Sequence, residues 1–176
     1  SYTEFVKIGF AEPMEVEKAA LALDAALPRG IRVLAADAVD THHAALMSQA
    51  AGASYRVTLP YSKDVSAAVA EFNAAPELLF KKAAPKTKAK FKEIDVKFYI
   101  PQLTAEQTET ETIFSFDCKI TPTGSMKAVD LLNALNEQYG LALPVEMADI
   151  ERLRLYRNNK NGKPIPMLNS DAVTLG

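Results

Sequence analysis

The chain has 176 residues, and 48% of them are apolar, which is enough to bury the core of one domain or of two small ones. The formal net charge is −2, but the segment 81–92 carries six lysines and no acid, which leaves 14 basic against 22 acidic residues elsewhere. This segregation excludes a uniformly basic nucleic-acid binder and allows a local cationic surface on an acidic body.

Cysteine content and hydropathy exclude further classes. A single cysteine, Cys118, excludes an internal disulfide and any multi-cysteine zinc or iron–sulfur site made by this chain alone. No apolar run approaches the roughly 20 residues that span a bilayer. We therefore predict a cytoplasmic protein that has no cofactor and does not associate with membranes. The chain begins without methionine on strand-like sequence, so we expect a processed or excised fragment.

The first third of the chain predicts a β-α-β unit followed by an irregular connector. Apolar residues alternate from Glu4 to Phe10, as in a half-buried strand. An alanine-rich stretch with helical spacing follows, and a short apolar stretch completes the unit. In order, we predict a strand over 4–10, a helix over 14–27, a strand over 31–36 and a connector over 37–52.

The remaining sequence predicts a second and longer set of alternating strands and helices. The clearest strand has Phe114, Phe116 and Cys118 on one face, and the clearest helix ends at Gly140. In order, we predict a strand over 55–59, a helix over 65–72, strands over 78–82 and 94–100, a flexible loop over 101–112, a strand over 114–120, a helix over 129–139, a strand through 153–155, a turn over 158–166 and a loose tail.

This order of elements indicates an α+β fold. Strands and helices alternate, the strands are short, and no Gly-rich phosphate loop is present. We predict tandem ferredoxin-like β-α-β units with antiparallel or mixed sheets and with helices on one face. The domain boundaries that we predict are a first unit over 1–40, a connector over 41–52, a second unit with an inserted strand over 53–166, and a tail over 167–176.

The lysine run is the first candidate site. Lysines spaced along a hairpin can neutralise successive phosphates of RNA, whereas lysines on a strand edge also keep that edge soluble, so both interpretations stay open. A second basic cluster lies on the C-terminal strand, and the two clusters can merge only if their strands are neighbours. The candidate nucleic-acid-binding residues are Lys81, Lys82, Lys86, Lys88, Lys90, Lys92, Arg152 and Arg154.

Three other groups of polar residues were weighed as sites. Gly124 and Ser125 precede a predicted helix, where free amides hold either an anion or an ordinary helix cap. Adjacent histidines His42 and His43 point to opposite sides of an extended chain, which disfavours a metal site. Cys118 lies on an apolar strand face and is expected to be an inert thiol. Since no catalytic constellation is visible, we predict no independent catalytic activity.

Four stretches together resemble a known family. They are EFVKIGFAEP, HAALMSQAAGASYRV, KAKFKEIDVKFYI and TPTGSMKAVDLLNAL. In this order they are similar to the radical-SAM-linked domain of unknown function 2344. A departure is Ala128, where the family has proline. The resemblance implies that an upstream segment is missing, so that residues 1–40 are the second half of a first ferredoxin-like unit.

The resemblance also implies a cellular role. Domains of this family occur alone or attached to radical S-adenosylmethionine modules, and some are linked to ribonuclease G-type proteins. We therefore expect a noncatalytic module that binds structured RNA or positions a substrate for a radical S-adenosylmethionine enzyme. The alternative is a protein-interaction module that docks such an enzyme through a strand edge or an acidic face. An open sheet edge would also allow a homodimer.

Overall fold

The computed structural model describes residues 4–40, 42–86 and 88–176, and it shows an α+β fold with antiparallel sheets. In chain order, the elements of this described part are α1 (Val16–Ala26), β1 (Ala35–Ala36), α2 (Leu46–Gln49), β2 (Ala50–Pro60), α3 (Ser66–Ala74), β3 (Leu79–Ala83), β4 (Phe91–Asp95), α4 (Val96–Tyr99), β5 (Thr104–Gln107), β6 (Glu111–Thr121), β7 (Gly124–Ser125), α5 (Ala128–Tyr139), a 3-10 turn (Val145–Met147), β8 (Asp149–Asn158), β9 (Pro164–Pro166) and β10 (Val173–Thr174). In that part of the chain, no helix is long and apolar enough to cross a membrane.

The chain divides into two compact units. Unit 1 contains Ser1–Glu4 and Ala50–Tyr156, and unit 2 contains Phe5–Gln49 and Arg157–Gly176. Unit 1 is therefore nearly contiguous in sequence, whereas unit 2 is assembled from two segments that flank it. The assembly into tandem ferredoxin-like units stays a prediction.

A long antiparallel pair, β2 with β6, is the centre of unit 1. Nine residue pairs join the two strands, from Gly52 opposite Lys119 to Pro60 opposite Glu111. Strand β5 lies on the other side of β6, and β8 lies on the other side of β2, which gives the order β5-β6-β2-β8. The alternation in β6 explains this position, because Phe114, Phe116 and Cys118 are all buried on one face.

Helices α3 and α5 cover that apolar face of the sheet. Val57 of β2 and Phe114 of β6 are opposite each other and are both fully buried, in one cluster with Phe72 of α3 and Leu131 of α5. Helix α5 ends where the sequence predicts, because Gly140 adopts φ 60°, a left-handed conformation that ends helices. Burial of large side chains from both helices stabilises this two-layer arrangement, and truncation of such a residue typically costs about 2–5 kcal/mol.

Unit 2 is held by short strands and by local polar contacts. Strand β1 pairs with β10, with Ala35 opposite Thr174, so the C-terminal segment predicted to be loose is in fact part of a sheet. After α1, the carboxylate of Asp24 accepts hydrogen bonds from Arg32 Nε at 2.9 Å and from Val33 N at 2.8 Å. The bond from Arg32, followed by the one from Val33, lowers the pKa of Asp24.

Three other predictions about elements were wrong. The segment 4–10 forms no strand with any described residue, and most of 31–36 is also outside the sheet. The strand predicted over 94–100 ends at Asp95, because its carboxylate accepts from Lys97 N at 3.0 Å and caps α4. The flexible loop predicted over 101–112 contains β5, which pairs with β6 through residues such as Ala105 opposite Phe114.

Candidate nucleic-acid interface

The lysine run lies on an antiparallel hairpin of unit 1, which we name the lysine hairpin (residues 79–95). Strands β3 and β4 pair with Phe80 opposite Ile94, and Lys82 is opposite Lys92. A further hydrogen bond from Ala84 N to Lys90 O, at 2.8 Å, extends the hairpin toward its turn. The prediction of a strand followed by a looped hairpin is confirmed, although β4 begins earlier than expected.

The two faces of the lysine hairpin differ in environment. Phe80 and Ile94 are buried in the core of unit 1. Because side chains alternate along a strand, Lys82 and Lys92 lie on this same face, nearer the turn. The opposite face carries Leu79, Lys81, Ala83, Phe91 and Glu93, which are all exposed. The core-facing side therefore fixes the base of the hairpin, and its turn end carries the charge.

Lys82 anchors the hairpin to helix α5. Its Nζ is 3.3 Å from the Asp130 carboxylate and 3.3 Å from the carbonyl oxygen of Ser125. The same carboxylate accepts from Lys127 N at 3.0 Å at the start of α5. The side chains of Lys82 and Asp130 are only 21% and 17% exposed. Lys82 is therefore engaged by the protein, and its charge is largely neutralised.

Four of the six lysines remain available to a ligand. Lys81 lies directly opposite Glu93, so the two opposite charges on this face offset each other. The remaining four are exposed and form no ion pair within the described part of the chain; they are Lys86, Lys88, Lys90 and Lys92. Lys90 adopts φ 58°, a left-handed conformation typical of turns, immediately before β4 begins. The cationic surface is thus the turn end of the hairpin.

Exposed aromatic rings lie near these lysines in the sequence. Phe91 is 59% exposed and stands between Lys90 and Lys92. Phe98 is 51% exposed, and Lys119 Nζ is 5.1 Å from the centre of its ring. Exposed aromatic rings beside cations are the combination that binds single-stranded nucleic acids.

The second basic cluster is separate from the hairpin in strand order. Arg152 Nη2 donates to Glu4 Oε2 at 2.6 Å, and the Arg152 side chain is only 18% exposed. Arg154, by contrast, is exposed. Both lie on β8, which pairs with β2, whereas β3 and β4 form their own two-stranded sheet. The condition set for merging the clusters, that their strands be neighbours, is not met among the described strands.

Gly124 and Ser125 lie before the helix start rather than at it. They form β7, which folds back on β6 with Thr121 opposite Gly124. The Thr121 hydroxyl donates to Gly124 O at 2.8 Å in this tight turn. Helix α5 begins only at Ala128, where Asp130 supplies the cap. The turn predicted from this sequence therefore closes a hairpin, and the acceptor of the helix cap was not predicted.

The other polar candidates occupy ordinary surface or core positions. His42 Nδ1 lies 3.2 Å from Asp40, and Asp37 accepts from Asn169 Nδ2 at 2.7 Å. Among the described residues, no group of three or more His, Cys, Asp and Glu side chains is placed to hold a metal ion. Cys118 is 2% exposed, and burial raises the pKa of its thiol to about 11. This thiol is therefore protonated and protected.

A shallow groove between α3 and the edge strand β5 was missed by the sequence analysis. Its apolar part, about 420 Å³, is lined by Val65, Ser66, Val69, Ala70, Ala105 and Gln107. Next to it, Asp64 and Glu109 add acidic groups around Tyr61. The sequence was interpreted here as a flexible loop because Thr104–Gln107 is short and polar. The only feature of the sequence that indicates a strand here is the two-residue spacing of Ala105 and Gln107.

Comparisons with known proteins give one match. A family model described as an uncharacterised protein conserved in bacteria (DUF2344) matches residues 1–131. Neither the curated proteins nor the solved structures contain a match to this chain. The matched region includes the lysine hairpin, the β2–β6 pair and the first residues of α5. The chain therefore belongs to this bacterial family of uncharacterised proteins, domain of unknown function 2344.

Proposed function

We propose that the protein is a noncatalytic RNA-binding module whose lysine hairpin contacts backbone phosphates. One observation carries this proposal: Lys86, Lys88, Lys90 and Lys92 are exposed at one end of a hairpin and form no ion pair within the described residues. Other lysines of unit 1 are engaged: Lys82 pairs with Asp130, Lys63 Nζ donates to Gly140 O, and Lys97 Nζ donates to Phe72 O. Four like charges gathered at one turn destabilise the isolated protein slightly and favour a polyanion.

The anchoring of the hairpin supports the same function. Phe80 and Ile94 hold its base in the core, and Lys82 attaches it to α5. The end of the hairpin that lies in the core is fixed, whereas the lysine side chains at its turn are long and flexible. Each ammonium group can therefore reach a separate phosphate. If four phosphates are neutralised, the affinity for a single strand falls with a slope of about −2.8 in log–log units, or roughly 50-fold between 50 and 200 mM salt.

The test is the fluorescence anisotropy of a labelled structured RNA at about 50 and 200 mM salt. The variant Lys86→Gln, Lys88→Gln, Lys90→Gln, Lys92→Gln is expected to bind weakly and to lose most of the salt dependence. A matched control changes four lysines of unit 2 to glutamine, namely Lys7, Lys18, Lys160 and Lys163. Both variants lower the net charge equally, so only a local contact separates them.

Two results would contradict the proposal. Absence of binding by the folded chain at low salt would mean that the lysines only keep the hairpin soluble. Equal losses in the hairpin variant and in the unit 2 control would mean that only the net charge matters. Arg154→Gln is a third variant, which measures whether the exposed residue of the second cluster adds a contact.

The context that we propose for this module follows from the family resemblance. The RNA-binding hairpin would serve a radical S-adenosylmethionine enzyme, either on the same polypeptide or as a separate protein, in the cytoplasm. The module itself would hold the RNA or position a substrate. Co-purification of the two proteins with RNA, and its loss after treatment with ribonuclease, tests this arrangement.

A second candidate function is protein docking, and the groove beside β5 favours it. Strand β5 is at the edge of its sheet, and the adjoining groove has an apolar floor with Asp64 and Glu109 at its rim. Such an edge accepts an added strand, either from a partner enzyme or from a second copy of the chain. Ala70→Arg, an exposed change in the groove, is expected to abolish salt-tolerant binding to the enzyme, or dimerisation, and to leave RNA binding unchanged.

A further inference from the structure

We infer that the lysine hairpin takes a single-stranded segment of nucleic acid and that Phe91 stacks on one of its bases. This inference rests on the proposed function, because it requires the hairpin lysines to contact phosphates. It adds the class of ligand, a single strand with an unpaired base. It also adds a residue that contacts the base instead of the backbone.

The position of Phe91 supports this role. Phe91 is 59% exposed on the outer face of β4, although a large aromatic side chain normally gains stability by burial. The residue directly opposite it is Ala83, which is too small to cover a ring. The next pair on the same face is Lys81 with Glu93. No large apolar neighbour from the paired strand therefore covers the ring of Phe91.

The flanking charges lie around the edge of β4 from this ring. Lys90 and Lys92 precede and follow Phe91, and both are exposed. Because side chains alternate, Lys92 leaves β4 on the face opposite to the ring, and Lys90 lies at the turn just before the strand. A single strand that passes along the edge of β4 can contact these ammonium groups with its phosphates on one side of the hairpin while one of its bases lies on the ring on the other side. Every base has a π-face, so this contact tolerates any sequence.

The same arrangement disfavours a duplex. In a double helix each base is already stacked between its neighbours, and the major groove of A-form RNA is too deep and narrow for side chains to read. Phe91 would then contact only the sugar–phosphate surface, where an aromatic ring gains little. Phosphate contacts alone would not distinguish single strands from duplexes. The ratio of the affinity for single-stranded RNA to the affinity for duplex RNA therefore measures the contribution of the ring.

The chain offers a matched control in Phe98. This residue is 51% exposed, and its removal deletes the same side chain. It belongs to α4 rather than to the hairpin, and its ring is already contacted by Lys119 Nζ at 5.1 Å. Phe98→Ala therefore controls for a general loss of exposed aromatic surface.

The experiment compares an unstructured oligouridine of about 12 nucleotides with a duplex RNA of equal length, again by anisotropy. The wild-type chain is expected to prefer the single strand. Phe91→Ala should weaken this binding by about 5- to 150-fold with an unchanged salt slope, because no charge is removed. Phe98→Ala should have little effect.

A tryptophan at the same position gives a direct readout. The chain contains no tryptophan, so Phe91→Trp introduces a single fluorophore that retains a stacking surface. Its fluorescence should be quenched as oligouridine binds, whereas Phe98→Trp should change little.

The outcomes separate the two proposals. Equal affinity for both RNAs, with no effect of Phe91→Ala and no quenching of Phe91→Trp, would overturn this inference and leave phosphate binding by the hairpin intact. An equal loss in Phe98→Ala would overturn it as well. If neither RNA binds the folded chain at low salt, the proposed function and this inference both fail.

Discussion

The contact of Gly52 with Tyr156 allows a quantitative test of how β2 packs in unit 1. A methyl group added at Gly52 would overlap Tyr156 Oη and Cζ, closer than non-bonded atoms approach. Gly52→Ala therefore forces the ring of Tyr156 to move away. Glycine at this position is required by the tyrosine that covers it.

The magnitude follows from two opposing terms. Overfilling a packed site costs about 1–3 kcal/mol, and the lower part of that range applies because the clashing atoms are the end of a side chain that can rotate. Replacement of glycine by alanine within a strand recovers about 0.5–1 kcal/mol of backbone entropy. We expect Gly52→Ala to lower the free energy of unfolding by about 0.5 kcal/mol, and by no more than about 1 kcal/mol.

The sign should reverse when the tyrosine is removed. In a Tyr156→Ala background no ring opposes the methyl group, so Gly52→Ala should raise stability by about 0.5–1 kcal/mol. In a Tyr156→Phe background the change should still be unfavourable, because the close contacts to Cζ and to Cε2 remain. Urea unfolding followed by circular dichroism measures all six proteins. The same effect of Gly52→Ala in all three backgrounds would refute the packing argument.

Three further predictions concern the anchor, the thiol and a strained loop. Asp130→Ala removes the cap of α5 and the partner of Lys82 and should cost about 1–2 kcal/mol in urea unfolding, whereas Asp130→Asn keeps an acceptor for the cap and should cost less; equal losses would mean that the cap hydrogen bond contributes nothing beyond the charge of Asp130. Cys118 should resist iodoacetamide while the protein is folded. Burial raises the pKa of this thiol to about 11, so the unfolded chain loses the proton first, and the stability should fall by roughly 2–3 kcal/mol as the pH rises from about 9 to 11. Cys118→Ala should lack this part of the pH dependence, and parallel curves for the two proteins would contradict it. Ala142 adopts φ 54°, so Ala142→Gly should stabilise the protein by about 0.5–1 kcal/mol, and a lower melting temperature would argue against strain there.

The elements that could be predicted from the sequence are those whose pattern is set by one apolar face. Strand β6 and helix α5 bury their faces in the same core, so the spacing of Phe114 and Phe116, and of Leu132 and Leu135, was sufficient. Gly140 marked the end of α5 because few other residues adopt its backbone conformation.

The failures came from contacts that sequence spacing does not encode. Ile94, Val96 and Ile100 are buried but Phe98 is exposed, because the Asp95 carboxylate ends β4 and starts a helix that breaks the alternation. Segment 4–10 alternates equally well, yet it pairs with no described strand. Alternation predicts an extended conformation, whereas a sheet also requires a partner.

The candidate site was located from the sequence, but the roles of its residues were not. The charge run identified the hairpin, and Pro85 indicated its turn. Lys82 is engaged because it pairs with Asp130, which is far along the chain. Lys81 lies opposite Glu93 because of the register of β3 and β4, which spacing in the sequence does not show. The exposure of Phe91 likewise depends on the strand register, which places the small Ala83 opposite it.

The division of unit 2 into two segments has a consequence for synthesis on the ribosome. Ala35 of β1 pairs with Thr174 of β10, so this sheet cannot close until residue 174 has emerged from the ribosome. At about 5–20 residues per second, the earlier strand waits roughly 7–30 s for its partner, while unit 1 is translated and can fold in between. Strand β1 therefore remains without its partner for this interval. A nonsense mutation upstream of the codon for Val173 would leave β1 permanently unpaired.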